Sequence, residues 1–325
     1  MFEYRKQMSD KPDRCGLRLI AMGSGWLGPG NPWVCVMLCA WLACMPGASA
    51  SEIRVVDDEG QNVTLHQPAR RIISLAPHVT ELLFTAGAGT SIVGTTQYSD
   101  FPAAALAIPR IGDSFTLDSE RVLSLHPDLI VVWLHGNPAG QLDQLRRMGI
   151  PVFSSEPRGL ADISATIRRF GQLAGTKDRA EQAATAFDER VATLRARYAG
   201  RPTVRAFYQI SERPLLTIND RHLIADVLRL CGGRNVFSEL APLTPSVSAE
   251  AVLATNPEVI ITSGGEPGNK TGFEMWTKLP SLLATKRHNF VLLHSDTISR
   301  QSDRILEGAQ MLCDQLEMVR AKRGP

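Results

Sequence analysis

Short apolar runs alternate with amphipathic stretches over most of the chain after residue 70. Residues 128–133 and 258–262 are apolar without polar alternation, which is typical of strands buried on both faces of a sheet. Similar runs predict further strands at 72–75, 92–95, 151–154, 204–210 and 289–294. Amphipathic segments that a glycine follows predict helices at 80–86, 141–148 and 222–231. Strands that alternate with helices in this way predict an α/β fold.

An internal repeat indicates two similar halves. Residues 120–131 match residues 250–261 when 130 is added to each number. The identical positions are Glu120 and Glu250, Val122 and Val252, Leu123 and Leu253, Pro127 and Pro257, and Ile130 and Ile260. Each copy predicts a short helix, a proline that ends it and a buried strand. Two copies predict two similar lobes rather than a solenoid of many repeats.

One long helix is predicted between these halves. The segment Lys177–Tyr198 contains no glycine or proline. Its apolar residues recur at steps of three and four and form one stripe, at Ala180, Ala184, Phe187, Val191, Leu194 and Tyr198. At ~1.5 Å per residue the helix is about 33 Å long, which predicts a stiff connector and small lobe motion.

The predicted domain organisation follows from these features. We expect an N-terminal α/β lobe at 51–174, a linker helix within 175–200 and a C-terminal α/β lobe at 201–325. Both lobes are expected to be Rossmann-like, with the helix as a rigid backbone between them.

The first fifty residues have the pattern of an export signal. A basic stretch precedes the apolar run 33–44, and the triplet 48–50 has the small residues of a cleavage site. The apolar run is shorter than the ~20 residues that span a bilayer. We therefore predict a signal peptide at 1–50 and a periplasmic protein. An uncleaved anchor and a lipid on Cys44 are the alternatives.

Composition and charge exclude several classes of partner. The chain has 325 residues, 44% of them hydrophobic and 21% charged, as in ordinary globular proteins. Of the 35 Lys/Arg and 33 Asp/Glu, five and three lie in residues 1–50, which leaves 30 of each sign. A neutral body gives no electrostatic reason to expect nucleic acid or an anionic membrane as partner.

Cysteine usage agrees with export. Four of the six cysteines lie in the leader, and Cys231 and Cys313 remain. An even pair in an oxidising compartment favours one disulfide, and two separately buried thiols are the alternative.

Motifs of catalysis are missing from residues 51–325, including G-x-S-x-G, H-E-x-x-H and the glycine-rich phosphate loops. This favours a binding protein over an exported enzyme, which stays an alternative because catalytic triads can form across a fold.

Candidate ligand-binding residues follow the predicted strands, at the sheet edge where open α/β folds bind ligands. Trp133 ends strand 128–133, and a polar turn with Gly136 and Asn137 follows it. Burial in the core is the alternative for Trp133. Other strands and turns place further candidates at comparable edges, namely Tyr98, Ser114, Phe115 and Gly264.

Two charged residues and two histidines complete the candidate set. Asp296 and Arg300 follow strand 289–294 and either hydrogen-bond a polar ligand or pair with each other at the surface. His78 and His135 lie at turns near the cleft edge, where they either ligate a chelated metal or are ordinary polar turn residues.

Residues 70–318 resemble periplasmic binding proteins of the helical-backbone class (class III), and within it the cobalamin-binding members. The matching runs are 74–83, 98–102, 120–133, 136–137, 141–145, 227–233, 235–237, 247–253, 295–296 and 309–313. The resemblance implies a monomeric solute-binding protein of an ABC importer that delivers cobalamin or a related corrinoid to a permease and its ATPase. No intrinsic cofactor is expected.

The resemblance also implies roles for particular residues. Glu120 and Glu250 fall where the family has one acidic residue on each lobe that docks on arginines of the permease. Cys231 and Cys313 match a disulfide of the family. The positions that contact the corrinoid correspond to Tyr98, Trp133, Asp296 and Arg300.

The sequence departs from the family at several cleft positions. Residues that are aromatic in the family are here Ser114, Leu216, Thr244 and Thr297. Phe115 and Trp276 are expected to compensate in part. Because aromatic faces supply much of the contact area of such a cleft, haem or a metal–siderophore chelate is the alternative ligand.

Overall fold

The structure is a computed structural model that describes residues 52–113, 116–264 and 272–323. The predicted signal peptide with Cys44 and the predicted cleft residues Ser114 and Phe115 lie outside the described residues. Among the described helices, none has the length and apolar character needed to cross a membrane.

The N-terminal lobe is built on a parallel four-stranded sheet in the order β4-β3-β5-β6. Its strands are β3 (Ile72–Ser74), β4 (Ile92–Thr95), β5 (Leu129–Trp133) and β6 (Val152–Ser155). An antiparallel hairpin precedes the sheet, formed by β1 (Ile53–Val56) and β2 (Asn62–Leu65). The helices are α1 (Pro77–Thr85), α2 (Ser119–Ser124), α3 (Ala139–Arg147) and α4 (Leu160–Ala174), with 3₁₀ turns at Gly89–Ser91 and Ala103–Ala107.

The C-terminal lobe repeats this sheet in the order β10-β7-β11-β12, again all parallel. Its strands are β7 (Val204–Gln209), β10 (Gly233–Asn235), β11 (Val259–Gly264) and β12 (Phe290–His294), and a small hairpin joins β8 (Ser211–Glu212) to β9 (Leu215–Leu216). Helix α5 (Lys177–Tyr198) precedes this lobe, and the helices of the lobe are α6 (Leu223–Leu230), α7 (Ala249–Thr255), α8 (Glu274–Thr277), α9 (Leu283–Lys286), α10 (Ser295–Ile298) and α11 (Ile305–Ala321). In both four-stranded sheets the strand that comes first in the chain, β3 or β7, lies between the second and the third. This confirms the prediction of two similar α/β lobes.

The sequence repeat corresponds to a repeated local structure. Asp118 caps the N-terminus of α2 by accepting a hydrogen bond from a backbone N–H three residues later, and Ser248 does the same for α7. Each helix is followed by a left-handed residue that precedes the conserved proline of the repeat, His126 with φ 44° and Asn256 with φ 45°. Because a residue that precedes proline disfavours the helical region, both helices stop before the proline that the two copies share.

The long connector is helix α5 (Lys177–Tyr198), with the bounds that the sequence predicts. Its buried residues are the six of the predicted stripe. Gly171 on α4 allows a close approach, since a Cβ there would lie 2.2 Å from the Ala180 Cβ. At the other end Tyr198 donates a 2.9 Å hydrogen bond to Asp314 on α11. The helix therefore packs on both lobes.

One apolar core continues from the N-terminal lobe along α5 into the C-terminal lobe. It includes Phe153 and Phe170 of the first lobe, Phe187 of α5 and Leu316 of the second. The domain boundaries predicted at 174/175 and 200/201 therefore remain predictions, because the apolar core is continuous across both positions.

Cys231 and Cys313 form a disulfide, with both residues fully buried. It joins the end of α6 to α11, 82 residues apart in the sequence. The predicted pairing is present in the structure.

Candidate ligand-binding cleft

A cavity of about 440 Å³ lies between the lobes, at the carboxyl ends of the strands of both sheets. Trp133 at the end of β5 and Glu156 just after β6 form part of the wall on the N-terminal side. Tyr208 in β7 and Ser263 in β11 lie on the other wall. This is the position at which open α/β sheets bind ligands, and the volume is in the range of small-molecule sites.

Trp133 is held in place by the turn that follows it. The Asn137 carboxamide oxygen accepts a 2.9 Å hydrogen bond from the Trp133 backbone N–H. A Cβ on Gly136 would lie 1.8 Å from the Trp133 ring, so only glycine permits this ring position. The imidazole of His78 meets the indole edge-on, with ring centroids 5.3 Å apart. Gly136 and Asn137 thus position the tryptophan.

The two candidate histidines lie in different surroundings. His135 lines the cavity, and its Nδ1 is 3.2 Å from the buried carboxylate of Glu156. His78 is buried behind Trp133, and burial, with a smaller effect of the positive charge of Arg300, lowers the pKa of His78 to about 3. Among the described residues no group of three or more His, Cys, Asp or Glu side chains is placed to hold a metal ion.

The C-terminal wall contains polar residues that the sequence analysis did not select. His222 caps the N-terminus of α6, where its Nδ1 accepts a hydrogen bond from the Ile224 N–H at 3.1 Å. Burial lowers the pKa of His222 to about 4, so the ring is neutral at pH 7 and its proton is on Nε2. Tyr208 and Gln301 also line the cavity. Tyr208 could have been found by the strand-end argument that selected Trp133, whereas His222 and Gln301 carry no local sequence signal.

Arg300 joins the two lobes through ion pairs. Its guanidinium is 2.7 Å from Glu81 Oε1 and 2.9 Å from Asp100 Oδ1, both in the N-terminal lobe. It is also 3.0 Å from Asp296 Oδ1 in its own lobe. Asp296 and Arg300 therefore pair with each other, which was one of the two alternatives that the sequence left open. The pair does not lie at the surface, however, because the Arg300 side chain is mostly buried.

Glu81, the central carboxylate of this cluster, is only 2% exposed. Besides Arg300 it contacts the Ser302 hydroxyl at 2.5 Å and the Arg304 guanidinium at 3.5 Å. Burial raises the pKa of Glu81, although these hydrogen bonds and positive charges oppose the shift.

Trp276 does not reach the cleft, contrary to the expectation that it compensates for lost aromatic residues. It is fully buried in a separate apolar cluster of the C-terminal lobe, where its ring meets Phe207 edge-on. Its Nε1 donates a 2.6 Å hydrogen bond to Gln209. A large apolar ring whose one polar atom is satisfied internally is more stable in the core than at a solvent-filled edge.

Four of the remaining predicted residues are not among those that line the cavity, namely Tyr98, Gly264, Glu120 and Glu250. Tyr98 is 75% exposed and has a left-handed backbone with φ 64°. Gly264 ends β11. Glu120 and Glu250 are exposed in the first turns of the equivalent helices α2 and α7. Of the positions where the resemblance implies an aromatic residue, Thr244 lines the cavity.

Comparisons with known proteins agree with this architecture. Residues 72–297 match a family model described as periplasmic binding protein. The vitamin B12-binding protein of Yersinia pestis (strain Pestoides F) is 38% identical over 253 residues, which cover 78% of this chain and 88% of that protein. The crystal structure of the periplasmic vitamin B12 binding protein BtuF of Vibrio cholerae is 35% identical with a TM-score of 0.71 and covers 78% of this chain and 98% of that one.

A more distant structure shares the fold. The periplasmic heme-binding protein RhuT from Roseiflexus sp. RS-1 is 24% identical with a TM-score of 0.65, and the match covers 78% of this chain and all of that one (100%). At this identity the similarity shows the two-lobed architecture alone.

Proposed function

Because this chain belongs to the periplasmic binding protein family, we propose that it captures cobalamin or a related corrinoid in the cleft between its lobes. The similarity to vitamin B12-binding proteins, which extends over both walls of the cleft, is the observation that carries this choice of ligand. Trp133 supports it, since a rigid aromatic face gives a planar ligand a large contact area at low entropic cost.

Capture requires only a small change of shape in this proposal. Helix α5 packs on both lobes, and the ion pairs of Arg300 with Glu81 and Asp100 connect the lobes at a second place. The two connections oppose a wide opening. The ligand then enters a slot that already has nearly its final spacing, which reduces the entropy that binding must overcome.

Delivery uses the exposed acids of the repeat. Glu120 and Glu250 occupy equivalent first-turn positions on α2 and α7, so they present one carboxylate on each lobe. We propose that these carboxylates pair with arginines of the permease of an ABC importer, whose ATPase drives release. The protein acts as a periplasmic monomer after removal of residues 1–50.

Tryptophan fluorescence tests the ligand. Residues 51–325 contain two tryptophans, Trp133 at the cavity and Trp276 in the core. We expect cyanocobalamin or cobinamide to quench the fluorescence of the periplasmic protein at submicromolar concentration. The quenching persists in Trp276→Phe and is largely lost in Trp133→Phe. Wild-type protein that shows no quenching and no calorimetric binding with either compound contradicts the proposal.

Transport assays test the docking role. The double variant Glu120→Ala, Glu250→Ala should abolish corrinoid uptake by cells while the purified protein keeps its affinity. As a matched control, Glu239→Ala and Glu274→Ala remove acids elsewhere on the C-terminal lobe and should leave uptake unchanged. Uptake at the wild-type rate in the first double variant rules out docking through these residues.

Haem is the second candidate, and the position of His135 on the cavity wall is what favours it. Imidazole is a common axial ligand of haem iron. A haem carrier would show a Soret band after addition of haemin, and the band would be lost in His135→Gln. It would not bind cobinamide.

The family is one of solute-binding proteins, and we propose that the cleft holds its ligand without chemical change. Native mass spectrometry of the protein purified from its own periplasm tests this. The co-purified ligand should have the mass of the intact compound, and a conversion product that accumulates with time would indicate an enzyme.

A further inference from the structure

Two arginines line the cavity, one from each lobe. Arg158 lies between β6 and α4 in the N-terminal lobe, and Arg221 lies just before α6 in the C-terminal lobe. Both are exposed. Within the described part of the chain neither guanidinium takes part in an ion pair, although Arg221 donates a hydrogen bond to the Ala241 carbonyl oxygen. A guanidinium has five N–H donors, so most of the donors of both groups remain available to a ligand.

The acids near these arginines have other partners. Glu156, which also lines the cavity, is buried and its carboxylate is 3.2 Å from His135 Nδ1. Asp220 pairs with Arg229 at 2.7 Å. Asp162 accepts hydrogen bonds from two backbone N–H groups at the start of α4. Among the described residues that line the cavity, two arginines thus face one engaged glutamate, so the wall carries an excess of positive charge.

His222 adds a third donor beside Arg221. Its Nδ1 accepts the hydrogen bond from the Ile224 N–H, so the neutral ring carries its proton on Nε2. Among the described residues this Nε2–H has no hydrogen-bond partner, and it is not one of the polar atoms that are buried without a partner. The Nε2–H of His222 is therefore accessible to a ligand.

The three groups share one chemical property. A guanidinium and an Nε2–H donate hydrogen bonds and accept none. They fit a ligand group that accepts several hydrogen bonds and carries negative charge, which is a phosphate or a carboxylate. A guanidinium binds such a group through two parallel hydrogen bonds, and these are stronger than bonds to a neutral acceptor.

We propose that Arg158 and Arg221, with His222, form an anion site at the cleft that binds a phosphate group of the ligand. This inference rests on the proposed function, since cobalamin has one phosphodiester in the loop that joins its nucleotide to the corrin ring. Cobinamide ends in a neutral hydroxyl at the same place. The cleft then distinguishes corrinoids that carry a phosphate from those that lack it, and the phosphate connects the two lobes.

Two corrinoid probes test the inference by isothermal titration calorimetry at pH 7.5. Dicyanocobinamide and dicyanocobinamide phosphate differ only in the phosphate on the aminopropanol side chain. We expect wild-type protein to bind the phosphate at least about 10-fold more tightly at low ionic strength. The preference should become smaller in about 0.5 M NaCl, because salt screens charges that are exposed to solvent.

Variants identify the residues. Arg158→Gln and Arg221→Gln should each weaken binding of cobinamide phosphate by about 3- to 10-fold, the effect of one hydrogen bond. His222→Asn keeps a side-chain cap for α6, removes the Nε2–H and should act in the same direction. Affinity for cobinamide should change less in all three. Arg147→Gln and Arg234→Gln are the matched controls, since these arginines are exposed, lie one on each lobe and do not line the cavity.

The outcomes separate this inference from the proposed function. If wild-type protein binds neither probe, nor cyanocobalamin, both fail. If it binds cobinamide as tightly as cobinamide phosphate, or more tightly, the inference alone is wrong. It is also wrong if the variants at 158, 221 and 222 leave the preference for the phosphate unchanged, or lower both affinities by the same factor, as a purely structural role would.

Discussion

Replacement of Arg300 by methionine tests how the lobes are held together. The variant keeps an unbranched apolar side chain of about the length of the arginine stem and removes the charge that pairs with Glu81 and Asp100. Glu81 then remains as a carboxylate that is 2% exposed and has lost its closest cationic partner. Loss of one partner of a buried ion pair commonly costs about 3–5 kcal/mol.

Two features of the structure place the expected loss of stability of Arg300→Met near the lower end of this range. The Ser302 hydroxyl at 2.5 Å and the Arg304 guanidinium at 3.5 Å stay beside Glu81. Burial already raises the pKa of Glu81, so the carboxyl group can take up a proton when Arg300 is gone. We therefore expect Arg300→Met to lower the free energy of unfolding by about 3 kcal/mol at pH 7.5.

The pH dependence gives the sign of the electrostatic effect. A carboxyl group whose folded pKa lies above its unfolded value stabilises the protein when protonated, and this contribution is lost as the pH rises through the folded pKa. Removal of Arg300 raises the folded pKa of Glu81 further. The difference in the free energy of unfolding between Arg300→Met and wild type should thus become smaller when the pH is lowered from 7.5 towards 5.

Urea unfolding followed by circular dichroism measures these differences. Arg54→Met is the matched control, because Arg54 pairs with Glu52 at the exposed surface, where an ion pair contributes about 0–1 kcal/mol. The double variant Glu81→Gln, Arg300→Met should be more stable than the sum of the single effects predicts, by about 1–3 kcal/mol. The reasoning is refuted if Arg300→Met costs no more than Arg54→Met, or if its only effect is a loss of ligand affinity.

Three further predictions concern the disulfide, the cleft and acid stability. Replacement of Cys231 and Cys313 by alanine opens an 82-residue loop and should lower the free energy of unfolding by about 4 kcal/mol; an unchanged urea midpoint under oxidising conditions would contradict it. Gly136→Ala pushes the Trp133 ring from its place, since the new Cβ would lie 1.8 Å away, and should weaken corrinoid binding in calorimetry by about 10-fold or more, with about 1–3 kcal/mol of destabilisation. His78 has a pKa of about 3 in the folded protein and 6.5 when unfolded, so its neutral form stabilises the folded state. This stabilisation is fully present above pH 6.5 and is lost as the pH falls, by up to about 1.4 kcal/mol of unfolding free energy per pH unit. His78→Gln should therefore flatten the pH dependence of the urea midpoint between pH 6.5 and 4.

The fold was largely predictable because its signals are local. The 22 residues of α5 carry an uninterrupted apolar stripe, and the structure has the same bounds and the same buried residues. The repeat at offset 130 predicted two similar lobes. The left-handed backbone at both His126 and Asn256 shows that the two copies also share their local conformation. Helix propensity, periodicity and proline act within a few residues, so one sequence suffices to detect them.

The site was less predictable because its contacts are distant in the sequence. Glu81 and Arg300 are 219 positions apart, and nothing near either residue indicates the other. Trp276 was expected at the cleft, but its place in the core depends on Phe207 and Gln209 of strand β7, about 70 residues earlier in the chain. The position of Trp133 on the cavity wall was predictable because a strand end is a local signal.

Because the two lobes share one apolar core, neither lobe can be separated from the other without exposing apolar surface. Although the two lobes have the form of a duplicated gene, helix α5 contributes its single stripe to the packing of both. A gene fragment that ends at residue 174 would leave the face of α4 around Gly171 in water, and one that starts at 201 would lose the hydrogen bond from Tyr198 to Asp314. Exchange of one lobe with a relative therefore requires the matching stripe of α5 as well.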